Sequence, residues 1–296
     1  MRVLYATDGS TPAREAESLI TALFDRSRVE VQVFTVTPEP TYDVIAPVGL
    51  PEPATVGMSD WNADGIARTT AERLAADGFT VSSRTSSGDP AQEILGLAET
   101  GDVELVVLGA SHSTWMGTFL LGRVSMHVLH HATCSVVVTH RAPTGTGRIL
   151  IGADGSDGSR ASIIAAGNVL NLDRCSAKVA TAVSYPWMLA APYPLAPFHG
   201  QVIDVQAIER AGIEEARVVA QSASAEAKAA GFVVSEEAVL VGSAGSQLLK
   251  EAHTLSADLV VVGSRGRGGL SRALLGSVSD QVARHAPATL LGRATH

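Results

Sequence analysis

Short apolar runs alternate with alanine-rich stretches along this chain, and the whole alternation occurs twice. Residues 2–6 and 148–152 are apolar runs that predict buried strands. Ser10 and Ser156 follow as N-cap neighbours, each leading into an alanine-rich helix. A second strand is predicted at Val29–Val36 and again at Ala177–Val183, and after a long irregular segment an alanine-rich helix ends at Gly78 or Gly231, where a C-cap glycine belongs. A third strand leads to Gly88-Asp89-Pro90, whose proline suits a first helical turn. The fourth strand ends at Gly109 or Gly263. A glycine-rich loop, a helix and a last apolar strand, Ser135–Thr139 or Ala288–Leu291, close each unit. Regular strand–helix alternation with nearly continuous apolar strands predicts an α/β fold with a parallel sheet covered on both faces.

The two passes align residue by residue. Arg2-Val-Leu-Tyr-Ala-Thr-Asp8-Gly-Ser10 answers Arg148-Ile-Leu-Ile-Gly-Ala-Asp154-Gly-Ser156 at an offset of 146. Leu105-Val-Val-Leu-Gly109 answers Leu259-Val-Val-Val-Gly263 at an offset of 154. A repeat of this length is a duplicated domain rather than a solenoid unit. The seam falls near the Pro/Gly/Thr segment Arg141–Gly147, which divides the chain into domains 1–142 and 147–296.

Composition narrows the class. With 30 acidic against 22 basic residues the 296-residue chain carries a formal charge of −8, unsuited to a nucleic-acid backbone. Aromatic residues are 4%, too few for a base-stacking platform. The two cysteines, Cys134 and Cys175, have no metal-ligand spacing and are expected to be buried apolar side chains. Neither a secretory leader nor a run of about 20 apolar residues is present, so a cytoplasmic protein without membrane contact is expected.

In doubly wound sheets ligands bind beyond the carboxyl ends of the strands, where the strand order reverses. Asp8 and Asp154 follow strand one, Gly109 and Gly263 end strand four, and these features converge on one crevice per half. The most informative stretch runs from Gly263 through Arg265, Gly266 and Arg267 to Gly276, Ser277 and Ser279, with the spacing G-x2-G-x9-G-S. Glycines let backbone N–H groups approach an anion, and a helix starting at Gly276-Ser277 adds its N-terminus and hydroxyls. The loop is neither a Walker A sequence nor a dinucleotide fingerprint.

These residues carry a resemblance. Asp-Gly-Ser after strand one, Gly-Asp-Pro before a helix, Val-Val-Val-Gly-Ser-Arg-Gly-Arg-Gly-Gly, and Leu-Leu-Gly-Ser-Val-Ser leading to Arg-His-Ala-Pro are similar to the ATP-binding branch of the universal stress protein family, as two tandem copies. The resemblance implies two Rossmann-like domains, each a five-stranded parallel sheet with helices on both faces and a last strand used in dimer-type pairing. It implies an adenine nucleotide, ATP in the leading reading, with adenosine against Ala153, Asp154 and Val183. The ribose would lie near Val262 and Gly263, and the phosphates on Gly266, Gly276, Ser277, Val278 and Ser279. In the first half it implies Thr7, Asp8, Val36, Leu108, Gly109, Gly122, Arg123, Val124 and Ser125. There the pattern is broken: His112 stands at the second glycine and Arg123 at a Ser/Thr position, so the phosphate end of the first site is the altered one.

His127, His130 and His131 share one helical face, expected to be exposed rather than metal-binding, since two of their repeat counterparts are Gln281 and Arg284. The aromatic, proline-rich stretch Tyr185–Phe198 reads equally as a lid or partner surface and as packing over its own domain. No catalytic base is evident near the phosphates, so the expected function is a nucleotide-binding stress or signalling module that forms a homodimer. A slow ATPase or phosphotransferase with Mg²⁺ between the phosphates, and a nucleotide-independent assembly protein, are the alternatives.

Overall fold

The computed structural model describes residues 1–38, 62–110, 121–184, 205–266 and 275–293. In the first half the elements run β1 (Arg2–Ala6), α1 (Thr11–Leu23), β2 (Glu30–Pro38), α2 (Ala63–Ala76), β3 (Thr80–Gly88), α3 (Pro90–Thr100), β4 (Leu105–Gly109), α4 (Arg123–His131) and β5 (Ser135–Thr139). The second half repeats them as β6 (Arg148–Gly152), α5 (Asp157–Val169), β7 (Ser176–Val183), α6 (Val205–Ala229), β8 (Val233–Val241), α7 (Ala244–Leu255), β9 (Leu259–Gly263), α8 (Ser277–His285) and β10 (Ala288–Gly292).

The strands form one sheet in the order β3-β2-β1-β4-β5-β10-β9-β6-β7-β8. Every pairing within a half is parallel. The one between halves, β5 with β10, is antiparallel, with Thr139 opposite Ala288 and Val136 opposite Leu291. The duplicated units thus meet last strand to last strand, about a pseudo-two-fold axis. Strand order reverses between β1 and β4 and again between β6 and β9, which opens a crevice above each of those junctions.

Both faces of the sheet are covered, which explains why the strands read as unbroken apolar runs. Val3 and Tyr5 enter one core layer with Leu19, Ile20 and Leu23 of α1, and Leu4 enters the other with Ile94 of α3 and Val128 of α4. Each such fully buried side chain contributes about 1.5–3 kcal/mol through loss of contact with water. Both layers run across the seam: in one, Phe24 and Leu170, at the ends of α1 and α5, form an antiparallel bridge between the halves, and in the other Val128 and Leu129 share a core with Val282 and Ala283.

The helix ends follow their local chemistry. Ser10, Asn62, Asp89 and Ser156 each accept a backbone N–H at the start of α1, α2, α3 and α5. At the end of α2 the amide of Gly78 donates to the carbonyl of Ala75 and that of Phe79 to Leu74, with Gly78 at φ +91°. Gly231 at φ +97° closes α6 in the same way, as the sequence predicts. The linker is tied down by Asp258, which is buried and accepts hydrogen bonds from the Thr144 amide and hydroxyl, the Thr146 hydroxyl and the Gly147 amide at 2.6–2.9 Å. Burial works to raise this carboxyl, but those donors outweigh it and hold it below the ordinary carboxylate range. Cys134 and Cys175 are buried and unpaired, and burial pushes both thiols up to about 11. Tyr185–Phe198, His112 and Arg267 lie outside the described residues.

Candidate functional site

The second-half crevice is a cavity of about 630 Å³. Strand β6 delivers Gly152, Ala153 and Asp154 to its floor, and β9 delivers Val262 and Gly263. Gly266, with Arg265, and then Gly276, Ser277, Val278 and Ser279 line the end that faces α8. Every second-half residue implied by the family resemblance is therefore brought to one cavity, except Val183. The wall from β7 is made by Ala180 and Ala182. Side chains alternate along a strand, so Val183, one residue on, belongs to the other face. The strand register supports the same assignment: Ala153 donates to the Ala180 carbonyl and Thr7 to Phe34, an offset of 146, which makes Ala182 and not Val183 the counterpart of Val36.

Asp154 is half-buried, and its Oδ1 accepts hydrogen bonds from the Ser156 amide at 3.0 Å and hydroxyl at 2.6 Å. The other oxygen faces Gly266: a Cβ on that glycine would lie 2.7 Å from Asp154 Oδ2. A side chain at position 266 would therefore press on the Asp154 carboxylate. Gly263 is a glycine because a Cβ would come within 2.6 Å of the Gly158 backbone at the start of α5. The same helix-on-strand contact, with Pro12 and Ala13, accounts for Gly109, so its retention in the first half reflects packing.

At Gly276 the situation differs, since the nearest atoms to an added Cβ are 3.5 Å away. It is the N-cap of α8, and no side chain caps that helix; α4, with Gly122 at its N-cap, has none either. The first residues of these helices line the crevices, and a helix N-terminus carries unpaired N–H groups and the positive end of the helix dipole, an arrangement that fits an anion. The Ser279 hydroxyl is committed: it donates to the Gly263 carbonyl at 2.6 Å, just as Ser125 donates to Gly109 at 2.8 Å. What Ser279 offers a phosphate is its backbone N–H, and the exposed Ser277 supplies the hydroxyl. Among the described residues there is no cluster of His, Cys, Asp and Glu able to hold a metal ion.

The first-half cavity measures about 470 Å³ and is lined by Thr7, Asp8, Val36, Leu108, Gly109, Gly122, Arg123, Val124 and Ser125, all named from the sequence. It is smaller for a local reason. Phe34 and Val36 wall it where Ala180 and Ala182 wall the second, and Pro90 stands where the second has Ala244. Arg123 sits in the first turn of α4, where a cation opposes the helix dipole.

Besides apolar wall residues such as Ala180 and Ala182, three ionisable residues of the second cavity escape the sequence reading of the site: His130, Asp280 and Arg284. His130 belongs to α4 of the first half. The expected exposed histidine face holds for His131, but His127 and His130 are half-buried: His127 lies against Gln92 of α3 and the His131 ring, and His130 faces Asp280 of α8 across the seam. Arg284 donates to both oxygens of Asp280, at 2.7 and 2.9 Å, and these hydrogen bonds raise its guanidinium further above its ordinary value. The grouping of His127, His130 and His131 was visible in sequence; its partner across the seam was not.

The chain was compared with known proteins. The model of the universal stress protein family matches residues 1–140 and again 145–291. A curated relative, universal stress protein Sll1388 of Synechocystis sp., is 26% identical over 147 residues, covering 46% of this chain and 96% of its own. A solved universal stress protein from Archaeoglobus fulgidus superposes with a TM-score of 0.62 at 19% identity, covering 99% of this chain and 98% of its own. A functionally unknown protein of Pseudomonas aeruginosa PAO1 superposes with a TM-score of 0.65 at 17% identity, covering 99% and 92%. At these identities the two structures speak to the fold.

Proposed function

Because the chain belongs to the universal stress protein family, as two tandem Rossmann-like domains, we propose that it is an adenine-nucleotide-binding module whose principal site is the second-half cavity. One observation carries the reading. Asp154, Gly263, Gly266 and the uncapped N-terminus of α8 converge on a single cavity whose strand wall is reduced to Ala180 and Ala182. The alanine-lined end has room for a planar base, Asp154 is placed to accept a ribose hydroxyl, and the N–H groups after Gly276 suit phosphates. ATP is the ligand that uses all three regions. When bound it would supply a phosphate tail for those N–H groups to read.

The chemistry favours binding over turnover. Asp280, the carboxylate in the first turn of α8, is held by Arg284 through both oxygens and is poorly placed to take a proton from water. A cytoplasmic stress-response or signalling role, with nucleotide occupancy as the signal, follows from this reading. Among the described residues no helix is long and apolar enough to cross a membrane. The reading also includes a homodimer. The last strands pair within the chain, so a second copy would meet this one elsewhere on its surface, and light scattering at tens of micromolar would return twice the monomer mass.

The direct test is to extract bound small molecules from the purified protein, identify them by mass, and titrate the stripped protein with ATP, ADP, AMP and cyclic AMP. Saturable adenine-nucleotide binding that Asp154→Ala weakens supports the proposal. An unliganded extract together with flat titrations overturns it in favour of a nucleotide-independent assembly role. Release of ADP and phosphate under excess ATP would instead identify a slow ATPase.

A further inference from the structure

The second cavity does not end at the phosphate cradle. Ser277, Asp280 and Arg284 are spaced i, i+3, i+7 on α8 and all line it, so the cavity follows one face of the helix for about 10 Å beyond the N-terminus. Beside Asp280 on this stripe stands His130, contributed by α4 of the other half, with Nε2 at 3.7 Å from Asp280 Oδ1. The position of His130 is set from the second half as well, since Arg293 donates to the carbonyls of Leu129 and His130 in the last turn of α4.

The first cavity has no such extension. By the repeat offset of 154, His130 and Arg284 are each other's counterparts, but the counterpart of Asp280 is Met126. Arg284 reaches the Met126 sulfur at 3.1 Å yet is held by Asp280, and neither Met126 nor Arg284 lines the first cavity. One carboxylate thus gathers the Arg284 guanidinium and the His130 imidazole towards the second site. With the Asp280 charge already offset by Arg284, the imidazole adds donor capacity and, when protonated, net positive charge on the α8 side of the cavity.

We propose that His130 completes the second-half site from the first half, as the residue that reads the distal phosphates of a nucleoside triphosphate and so sets preference for triphosphate over monophosphate. The proposal rests on the reading of the cavity as a nucleotide site. A monophosphate held at Gly276 and Ser277 stays at the start of the α8 stripe, whereas a longer tail lying along it comes to His130.

Calorimetry on the full chain carrying Asp8→Ala, which leaves the second cavity as the reporting site, compares ATP with AMP for three side chains at position 130. Replacing His130 by Ala should weaken ATP about tenfold or more, the scale of one lost charge-assisted hydrogen bond, and leave AMP unchanged. His130→Arg, which keeps a cationic donor, should retain the ATP preference. If the alanine chain does not fold, His130→Gln puts the same question with the bulk preserved. An ATP-to-AMP affinity ratio that stays at the parent value in the alanine or glutamine chain overturns the role of His130 alone. Absence of any adenine-nucleotide binding before position 130 is altered overturns the nucleotide reading of the cavity, and this proposal with it.

Discussion

Arg293, at the end of β10, donates a 2.7 Å hydrogen bond to the carbonyl oxygen of Leu129 in the last turn of α4. On the opposite side of the pseudo-two-fold axis, His140 Nε2 lies 2.7 Å from the carbonyl of Ala283 in α8, the repeat counterpart of Leu129. Each half thus caps the crevice helix of the other. A carbonyl only accepts, so His140 Nε2 carries the proton. Burial depresses the Arg293 guanidinium from its ordinary value, but the geometry keeps it a donor. Replacing Arg293 with Ala should remove about 1–3 kcal/mol from the unfolding free energy, because it leaves a buried helix end without its donor. Urea denaturation checks this, and an unchanged midpoint would show that water replaces the guanidinium without cost.

Asp154→Ala should weaken nucleotide binding by about 1–3 kcal/mol, the range for a lost hydrogen bond to a charged group. The carboxylate is also bonded to Ser156, the N-cap of α5, so a small loss of stability should accompany it. Calorimetry separates the two, and unchanged affinity in a folded variant would remove Asp154 from the site.

Gly266→Val should abolish the contribution of the phosphates while leaving adenosine binding less affected. The added Cβ would meet Asp154 Oδ2 at 2.7 Å, so the carboxylate or the loop has to shift, and the branched side chain blocks approach to the backbone N–H. A parent-like ratio of ATP to adenosine affinity would show that this loop does not carry the phosphates.

The second site should bind ATP more tightly than the first, by about tenfold or more, equivalent to two contacts of roughly 1 kcal/mol each. Two differences act together. His112 replaces a glycine of the loop motif, and Phe34 and Val36 occupy space that Ala180 and Ala182 leave open. Arg123 pulls the other way, since a guanidinium near phosphates recovers part of the loss. Separate titrations of Asp8→Ala and Asp154→Ala chains decide it. Equal residual affinities would reject the asymmetry.

The linker tie predicts a pH dependence. The four hydrogen bonds to Asp258 favour its charged form and depress its folded value. The stabilisation is therefore complete above the unfolded value, about 3.9, and is lost as pH falls through the folded value below it. Asp258→Asn should cost about 1.5–3 kcal/mol at pH 7, and the gap to the parent should shrink below pH 4. A gap constant from pH 7 to pH 3 would mean that the carboxylate charge is not what holds the linker.

The sequence by itself determined the elements and most of the site, because both depend on short-range pattern. Unbroken apolar runs specify strands covered on two faces, and Ser10, Asp89 and Ser156 mark helix starts through bonds that span two or three residues. The duplication gives two readings of every motif, so the sequence alone assigns Asp154, Gly263 and Gly276 to one crevice. Only the tertiary structure decided what depends on register and on contacts between the halves. Val183 and Ala182 are adjacent in sequence, and only the pairing of β6 with β7 tells which of them faces the cavity. Gly109 and Gly263 look like ligand glycines in the motif, but the close approach of α1 and α5 requires them whether or not a ligand binds. His130 and Asp280 are 150 residues apart. No local pattern brings them together; the antiparallel joining of β5 to β10 does, by laying α4 against α8 and carrying a first-half side chain into the second-half cavity.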